Sequence, residues 1–222
     1  MHHQDIIKAV DESIESLCSK FRSHPTLFFT ENDLVCYFYS ILQQKLSICK
    51  DRDGHEHFLI HTEYPTPFRC DMRNNRFEIK DDDRGRYQRG HYDIVVLNPD
   101  FIKEHSYKVI KAQNYELYKE AALSQIDRYK PIVLYGIEFM FRRDPLRFSR
   151  GENKKKAIEM FVAKIEQDVD KLLASKNFPK DKKGFMGQVK MLTFVKGTPE
   201  DICELLGKKL SDRNEIILCF GD

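Results

Sequence analysis

The segment His91-Tyr92-Asp93-Ile94-Val95-Val96-Leu97 decides the fold. Its second half is an unbroken apolar run in which three of four residues are β-branched, and Asn98-Pro99 stops it, so it reads as a strand. An acid sits inside it. Strand alternation puts Asp93 on the face shared by Val95 and Leu97. An ionised carboxylate beside a core is unfavourable unless it is paired, hydrogen-bonded or bound to a cation.

Two further acid-bearing strands flank this one in sequence. Ile132 to Phe141 is rich in aromatic and β-branched residues and holds Glu138, on one face with Gly136, Met140 and Arg142. His57 to Tyr64 ends at Pro65 and carries Glu63. Acids near strand ends are often merely solvated. Two on neighbouring strands, pointing with core residues, also suit a hard divalent ion.

Around these strands the periodicity is helical. Asp5 to Phe21 repeats apolar residues at helical spacing and stops before Pro25. A second helix starts at a Thr30 cap, with Glu31 and Asp33 in its first turn, and runs to Leu46. The polar stretch Asp51 to Glu56 is a loop. Asn114 to Tyr129 is a helix inserted between the second and third core strands. The charged stretch Arg69 to Arg89, with the run Asp81 to Asp83, is a hairpin or loop. Glu152 to Ser175 is a long amphipathic helix. Strands at Gln188 to Val195 and Glu215 to Phe220 enclose a helix from Pro199 to Leu210, opened by Thr198-Pro199. The expectation is one α/β domain over 1–222 with a mixed central sheet flanked by helices: a helical segment 1–50 and a core 51–222.

Composition narrows the function. Of 222 residues, 41% are hydrophobic and 32% charged, which excludes a disordered tail, and no apolar run approaches the ~18 residues of a membrane span. Net charge is only +2, so attraction to a polyanion requires local clusters of Lys and Arg. The six cysteines show no C-x-x-C pair, and the first ten residues lack the apolar centre of a secretory signal, so free thiols in the reducing cytoplasm are expected. His55, His57 and His61 do not favour zinc, because i and i+4 on a strand lie ~13 Å apart. Fingerprints of serine hydrolases, P-loop enzymes and dinucleotide enzymes are lacking.

The order of elements and acids resembles the PD-(D/E)xK nuclease superfamily, the restriction-endonuclease-like fold. The segments that carry the likeness are Thr-Glu-Asn-Asp-Leu at 30–34, His-Thr-Glu-Tyr-Pro at 61–65, Arg-Gly-His-Tyr-Asp-Ile-Val-Val at 89–96 and Gly-Ile-Glu-Phe-Met-Phe at 136–141. The helical stretch Ile-Glu-Gln-Asp-Val-Asp-Lys-Leu at 165–172 is similar to the helix trailing this core in many members. The resemblance implies that Asp93 and Glu138 hold Mg²⁺, with Mn²⁺ as a substitute, and that Glu31 and Glu63 are additional acids. It also implies a nucleic-acid substrate, DNA before RNA, no membrane partner, and a homodimer as the arrangement that cuts both strands.

One residue departs from the pattern. Met140 stands where the motif lysine belongs, two residues after Glu138. Losing one positioned donor removes on the order of 3 kcal/mol of transition-state stabilisation. Arg142 on the same strand face, or a lysine of the following helix among Lys154 to Lys156 and Lys164, are the replacements the sequence offers; otherwise the site is inactive. Arg84, Arg86 and Arg89 precede the Asp93 strand, and Arg142, Arg143, Arg147 and Arg150 follow the Glu138 strand. Arg86, Arg89 and Arg143 are the candidates for phosphate contacts at a cationic rim. Two readings follow: a metal-dependent nuclease, or a catalytically silent relative that binds nucleic acid or a protein.

Overall fold

The computed structural model describes residues 1–71, 78–80, 88–143, 153–178, 184–197 and 200–221. Among these, a six-stranded sheet has the order β4-β3-β5-β6-β7-β8. Its members are β3 (Ile60–Asp71), β4 (Glu78–Lys80), β5 (Gln88–Leu97), β6 (Val133–Arg142), β7 (Met186–Lys196) and β8 (Ile216–Gly221). The β3–β4, β3–β5 and β5–β6 pairs are antiparallel, whereas β6–β7 and β7–β8 are parallel. The sheet is therefore mixed. Parallel neighbours need a crossover, supplied by α6 (Asn153–Asn177) and α7 (Glu200–Leu210). Strands β1 (Cys49–Lys50) and β2 (Glu56–His57) form a separate short pair.

Helices cover both faces. Phe21 of α1 (His3–Ser23) meets Phe141 and Phe194, and Phe38 of α2 (Glu31–Gln43) meets Phe139, so the odd-numbered residues of β6 face the N-terminal helices. The even-numbered Glu138 and Arg142 meet α6 through Lys171 and Phe161. That explains why β6 is buried from Val133 to Met140 and reads as a nearly continuous apolar run. One buried acid interrupts it.

Helix α2 is held by a reciprocal cap. Thr30 Oγ1 accepts the Asp33 N–H at 3.2 Å, and the Asp33 carboxylate accepts the Thr30 and Phe29 N–H groups at 2.9 and 2.8 Å. Those backbone donors hold the Asp33 carboxyl below its usual pKa. Thr30→Ala is expected to lower stability by about 1 kcal/mol, read by urea denaturation. No change would mean that tertiary packing alone fixes the start of α2.

Three departures from the sequence expectations concern β3 and its neighbours. The strand expected over His57 to Tyr64 is divided: β2 stops at His57 and β3 begins at Ile60. Nor does Pro65 end β3, which runs to Asp71 with a register shift between Pro65 and Arg69. Among the described residues β4 pairs with Arg69 to Asp71 and not with the Pro65 to Pro67 stretch, where missing donors are tolerated. The charged stretch after β3 returns as a hairpin through β4, with Asp81 to Asp83 outside the described residues. Between β5 and β6 the insert contains α3 (Pro99–Glu104), α4 (Tyr107–Ile110) and α5 (Tyr115–Asp127), the last being the helix expected there. The Thr198-Pro199 start signal lies outside the described residues. None of the six cysteines forms a disulfide, and no described helix is long and apolar enough to cross a membrane.

Candidate metal and catalytic site

The pairing of β5 with β6 ends at Ile94↔Ile137, and Asp93 and Glu138 are the next residue on each strand. Beyond this point β6 continues beside β7, through Phe139↔Leu192 and Phe141↔Phe194, without β5 on its other edge. Two carboxylates take the place of the missing strand. Asp93 Oδ2 accepts the Phe139 N–H at 2.7 Å, and Glu31 Oε2, from the first turn of α2, accepts the Phe141 N–H at 3.1 Å. These N–H groups are two residues apart and so point to the same edge.

Glu138 is answered from α6. Lys171 Nζ lies 2.5 Å from Glu138 Oε1, with side chains only 13% and 5% exposed. The contact is a close ion pair whose angle falls short of a good hydrogen bond. Lys171 also donates to the His91 carbonyl at 3.0 Å and lies 5.6 Å from the centre of the Tyr92 ring. Tyr92 is anchored by a short hydrogen bond to Ser175. One α6 face thus presents Lys164, Asp168 and Lys171, spaced i, i+4 and i+7.

Charges in this cluster are strongly coupled. Burial pushes the Glu138 carboxyl well above its ordinary pKa; Lys171 opposes that push and Asp93 adds to it. Burial alone would lower Lys171, but the Glu138, Asp168 and Asp93 charges outweigh it and raise its pKa. Desolvation followed by the Asp93 charge raises Glu31. Asp168 is raised by burial and then pulled back by Lys171 and Lys164. Four carboxylates, Glu31, Asp93, Glu138 and Asp168, and two ammonium groups, Lys164 and Lys171, thus influence one another's ionisation, with acids in excess. All the donors are oxygens, which suits a hard ion. Asp93 Oδ1 and Glu31 Oε1 take no hydrogen bond among the described residues, so each acid keeps a ligand atom. Among the described residues these acids do not bring three ligand atoms within 4.8 Å of one another, as a metal-holding group would.

The other expected residues occupy varied places. Glu63 is exposed, has a left-handed φ of 49°, and lies on β3 between the pairs Thr62↔Ile94 and Tyr64↔Tyr92, across from Asp93. It lines a cleft with Thr30, Glu31, Asn32, Thr62 and Asp93. Met140 is buried opposite Thr193. Arg142 lies 5.9 Å from the Phe161 ring. Arg89 is held inward, its Nε donating to the Thr66 carbonyl at 2.9 Å and its Nη1 to the Ala112 carbonyl at 2.6 Å. Those bonds occupy donors that a phosphate would need. Arg143 is exposed. Arg84, Arg86, Arg147 and Arg150 lie outside the described residues, as does the side chain of Lys154.

Lys171 and Asp168 are the residues that the sequence reading missed. Their signal lay inside the segment 165–172: two charged residues flanking the apolar positions Ile165, Val169 and Leu172. Helical spacing showed that they border the core stripe, but not which strand they would meet.

A second polar group lies between β1 and β2. Asp51, Asp53 and His55 place ligand atoms within 4.8 Å of one another and can hold a metal ion. Asp51 is nevertheless well satisfied without one. Its Oδ1 accepts the Asp53 and His55 N–H groups at 2.8 and 2.9 Å, and its Oδ2 faces His57 Nε2 at 3.0 Å and His55 Nδ1 at 3.3 Å. Burial opposes ionisation of Asp51, but the His57, His55 and Asp53 donors outweigh it and hold its carboxyl far below the ordinary value of about 3.9. A depressed folded pKa stabilises the protein above that unfolded value, and the contribution is lost as pH falls below it. Asp51→Asn should therefore flatten the acid limb of the stability curve below about pH 4. An unchanged limb in denaturant titrations across that range would contradict this.

No family model, curated protein or solved structure matches this chain.

Proposed function

We propose that this chain is a restriction-endonuclease-like, Mg²⁺-dependent nuclease that hydrolyses phosphodiester bonds in nucleic acid, DNA before RNA. The observation that carries the reading is Lys171 beside Glu138. It returns a cation to a site whose motif position is Met140. The element order supports the same reading: α2 with Glu31, β3 with Glu63, β5 with Asp93, β6 with Glu138, then α6, β7, α7 and β8.

Asp93 and Glu138 would hold the ion, with Glu31 and Glu63 lining the same approach. When bound, a divalent ion supplies a Lewis acid for a phosphate oxygen and lowers the pKa of a water. Lys171 supplies positive charge for the developing phosphate, and its raised pKa keeps it protonated through neutral pH. The Phe139 and Phe141 N–H groups orient Asp93 and Glu31. Arg143, exposed just past β6, would contribute positive charge toward a backbone phosphate.

A second reading rests on the same hydrogen bonds. If Asp93 and Glu31 serve only as substitutes for the missing strand, and Glu138 only as partner of Lys171, the chain is a silent relative that binds nucleic acid or protein. Incubation of supercoiled plasmid and single-stranded DNA with Mg²⁺, Mn²⁺ or chelator separates the two. Metal-dependent cutting supports the nuclease. Salt-sensitive binding without cutting in either metal supports the silent relative.

A further inference from the structure

The cleft at Asp93 does not end at the acids. A cavity of about 410 Å³ adjoins it and shares Cys36 and Thr62 with it, so the two form one groove between α2 and β3. Its far end is lined by Tyr39, Ile60 and His61. From Glu31 to Tyr39 the groove follows α2 for ~12 Å, at 1.5 Å of rise per residue. The volume lies within the range of ~300–1,000 Å³ typical of small-ligand sites.

The chemistry of the two ends differs. Acids line the near end, where a phosphate is tolerated only with a cation in place. The far end carries no fixed charge: Cys36, Tyr39, Ile60 and Thr62 are uncharged, and burial lowers the pKa of His61, favouring its neutral form. Among the described residues no Lys or Arg lines either part of the groove. Nothing there neutralises a second phosphate backbone, as a seated duplex would require. An aromatic ring, an imidazole and small hydrogen-bonding groups instead match the flat face and polar edge of a nucleobase. His61 Nε2 itself is buried and takes no hydrogen bond among the described residues, so it is the imidazole's face and edge that line the groove.

Resting on the nuclease reading, we infer that the site acts on an unpaired nucleotide whose base is seated between α2 and β3 against Tyr39 and His61. A base lies flat against these side chains only when it is outside a stacked duplex, so single strands, ends and flipped nucleotides are the substrate class. Duplex interiors are excluded.

The test compares three fluorescein-labelled probes of one length: single-stranded oligothymidylate, the same backbone without bases, and the matching duplex. Binding is measured with Ca²⁺ in place of Mg²⁺, and cutting with Mg²⁺ and with Mn²⁺. Wild type is expected to bind the single strand about ten-fold more tightly than the abasic strand, the scale of stacking one base. Tyr39→Ala should erase that preference and Tyr39→Phe should keep it, which separates a lost ring from a lost fold. Equal binding of the single and abasic strands, a preference that survives Tyr39→Ala, or no binding of the single strand overturns the base pocket. Cutting of the abasic strand as fast as the normal strand also overturns it, while leaving the nuclease reading in place. Base-dependent binding without cutting in either metal supports the pocket and removes the nuclease.

Discussion

Lys171→Met is expected to lower the unfolding free energy by roughly 3–5 kcal/mol, the cost of leaving one member of a buried ion pair without its partner. Glu138 is 5% exposed, and the ammonium at 2.5 Å is what opposes its burial. The loss should depend on pH, with a definite sign. Burial raises the folded pKa of Glu138 above its unfolded value, so the protonated acid is tolerated at low pH. That rise is present in wild type with Lys171 in place; removing the ammonium raises the folded value further, so the variant falls away from wild type as pH rises above the wild-type folded value. The variant should therefore be closer to wild type at pH 5 than at pH 8. Glu138→Gln combined with Lys171→Met should recover most of the loss, because no buried charge remains. Urea denaturation of wild type, both single variants and the double variant at both pH values completes the cycle. A double-variant loss equal to the sum of the two single-variant losses would mean that the pair is not coupled.

Asp93→Asn is expected to reduce metal-dependent cleavage by ~10²–10³-fold, the scale of losing one positioned electrostatic group, while the fold persists. The amide oxygen of asparagine still accepts the Phe139 N–H, so the substitute for the missing strand pairing survives. Removing the charge also relieves its repulsion of Glu31, Glu138 and Asp168. In chelator the variant should melt at the same temperature as wild type or above it. With millimolar Mg²⁺ or Mn²⁺ wild type should gain stability and the variant should not. A variant that keeps wild-type cleavage, or that loses stability in chelator, would contradict the role given to Asp93.

The long elements were legible because each shows one period over many residues. The Thr30 cap and the Ile165, Val169 and Leu172 stripe correspond to observed helices. The β-branched run after Asp93 corresponds to a central strand. What misled was local. Pro65 reads as a stop, yet among the described residues no strand pairs with that edge of β3 at Pro65, and such an edge tolerates proline. The sequence aligns Asp93 and Glu138 with core-facing residues; Glu138 is buried and Asp93 half-buried, and their partners come from other elements. The Phe139 and Phe141 N–H groups became available because β5 leaves β6 after Ile94, which no spacing encodes. Lys171 is separated from Glu138 by 33 positions in the sequence. Only the packing of α6 on the even-numbered face of β6 brings them together. Arg89 reads as a rim cation by charge, whereas two backbone carbonyls and the Tyr118 ring hold it inward.

Titration of the metal-free protein with Mn²⁺, followed by electron paramagnetic resonance, tests the central claim most directly. The chain has two groups to compare: the acids where β5 leaves β6, and Asp51, Asp53 and His55 between β1 and β2. Saturable binding that Asp93→Asn and Glu138→Gln abolish, and that Asp53→Asn leaves intact, is the predicted result. Binding lost only in Asp53→Asn, or no binding at millimolar Mn²⁺, would contradict it.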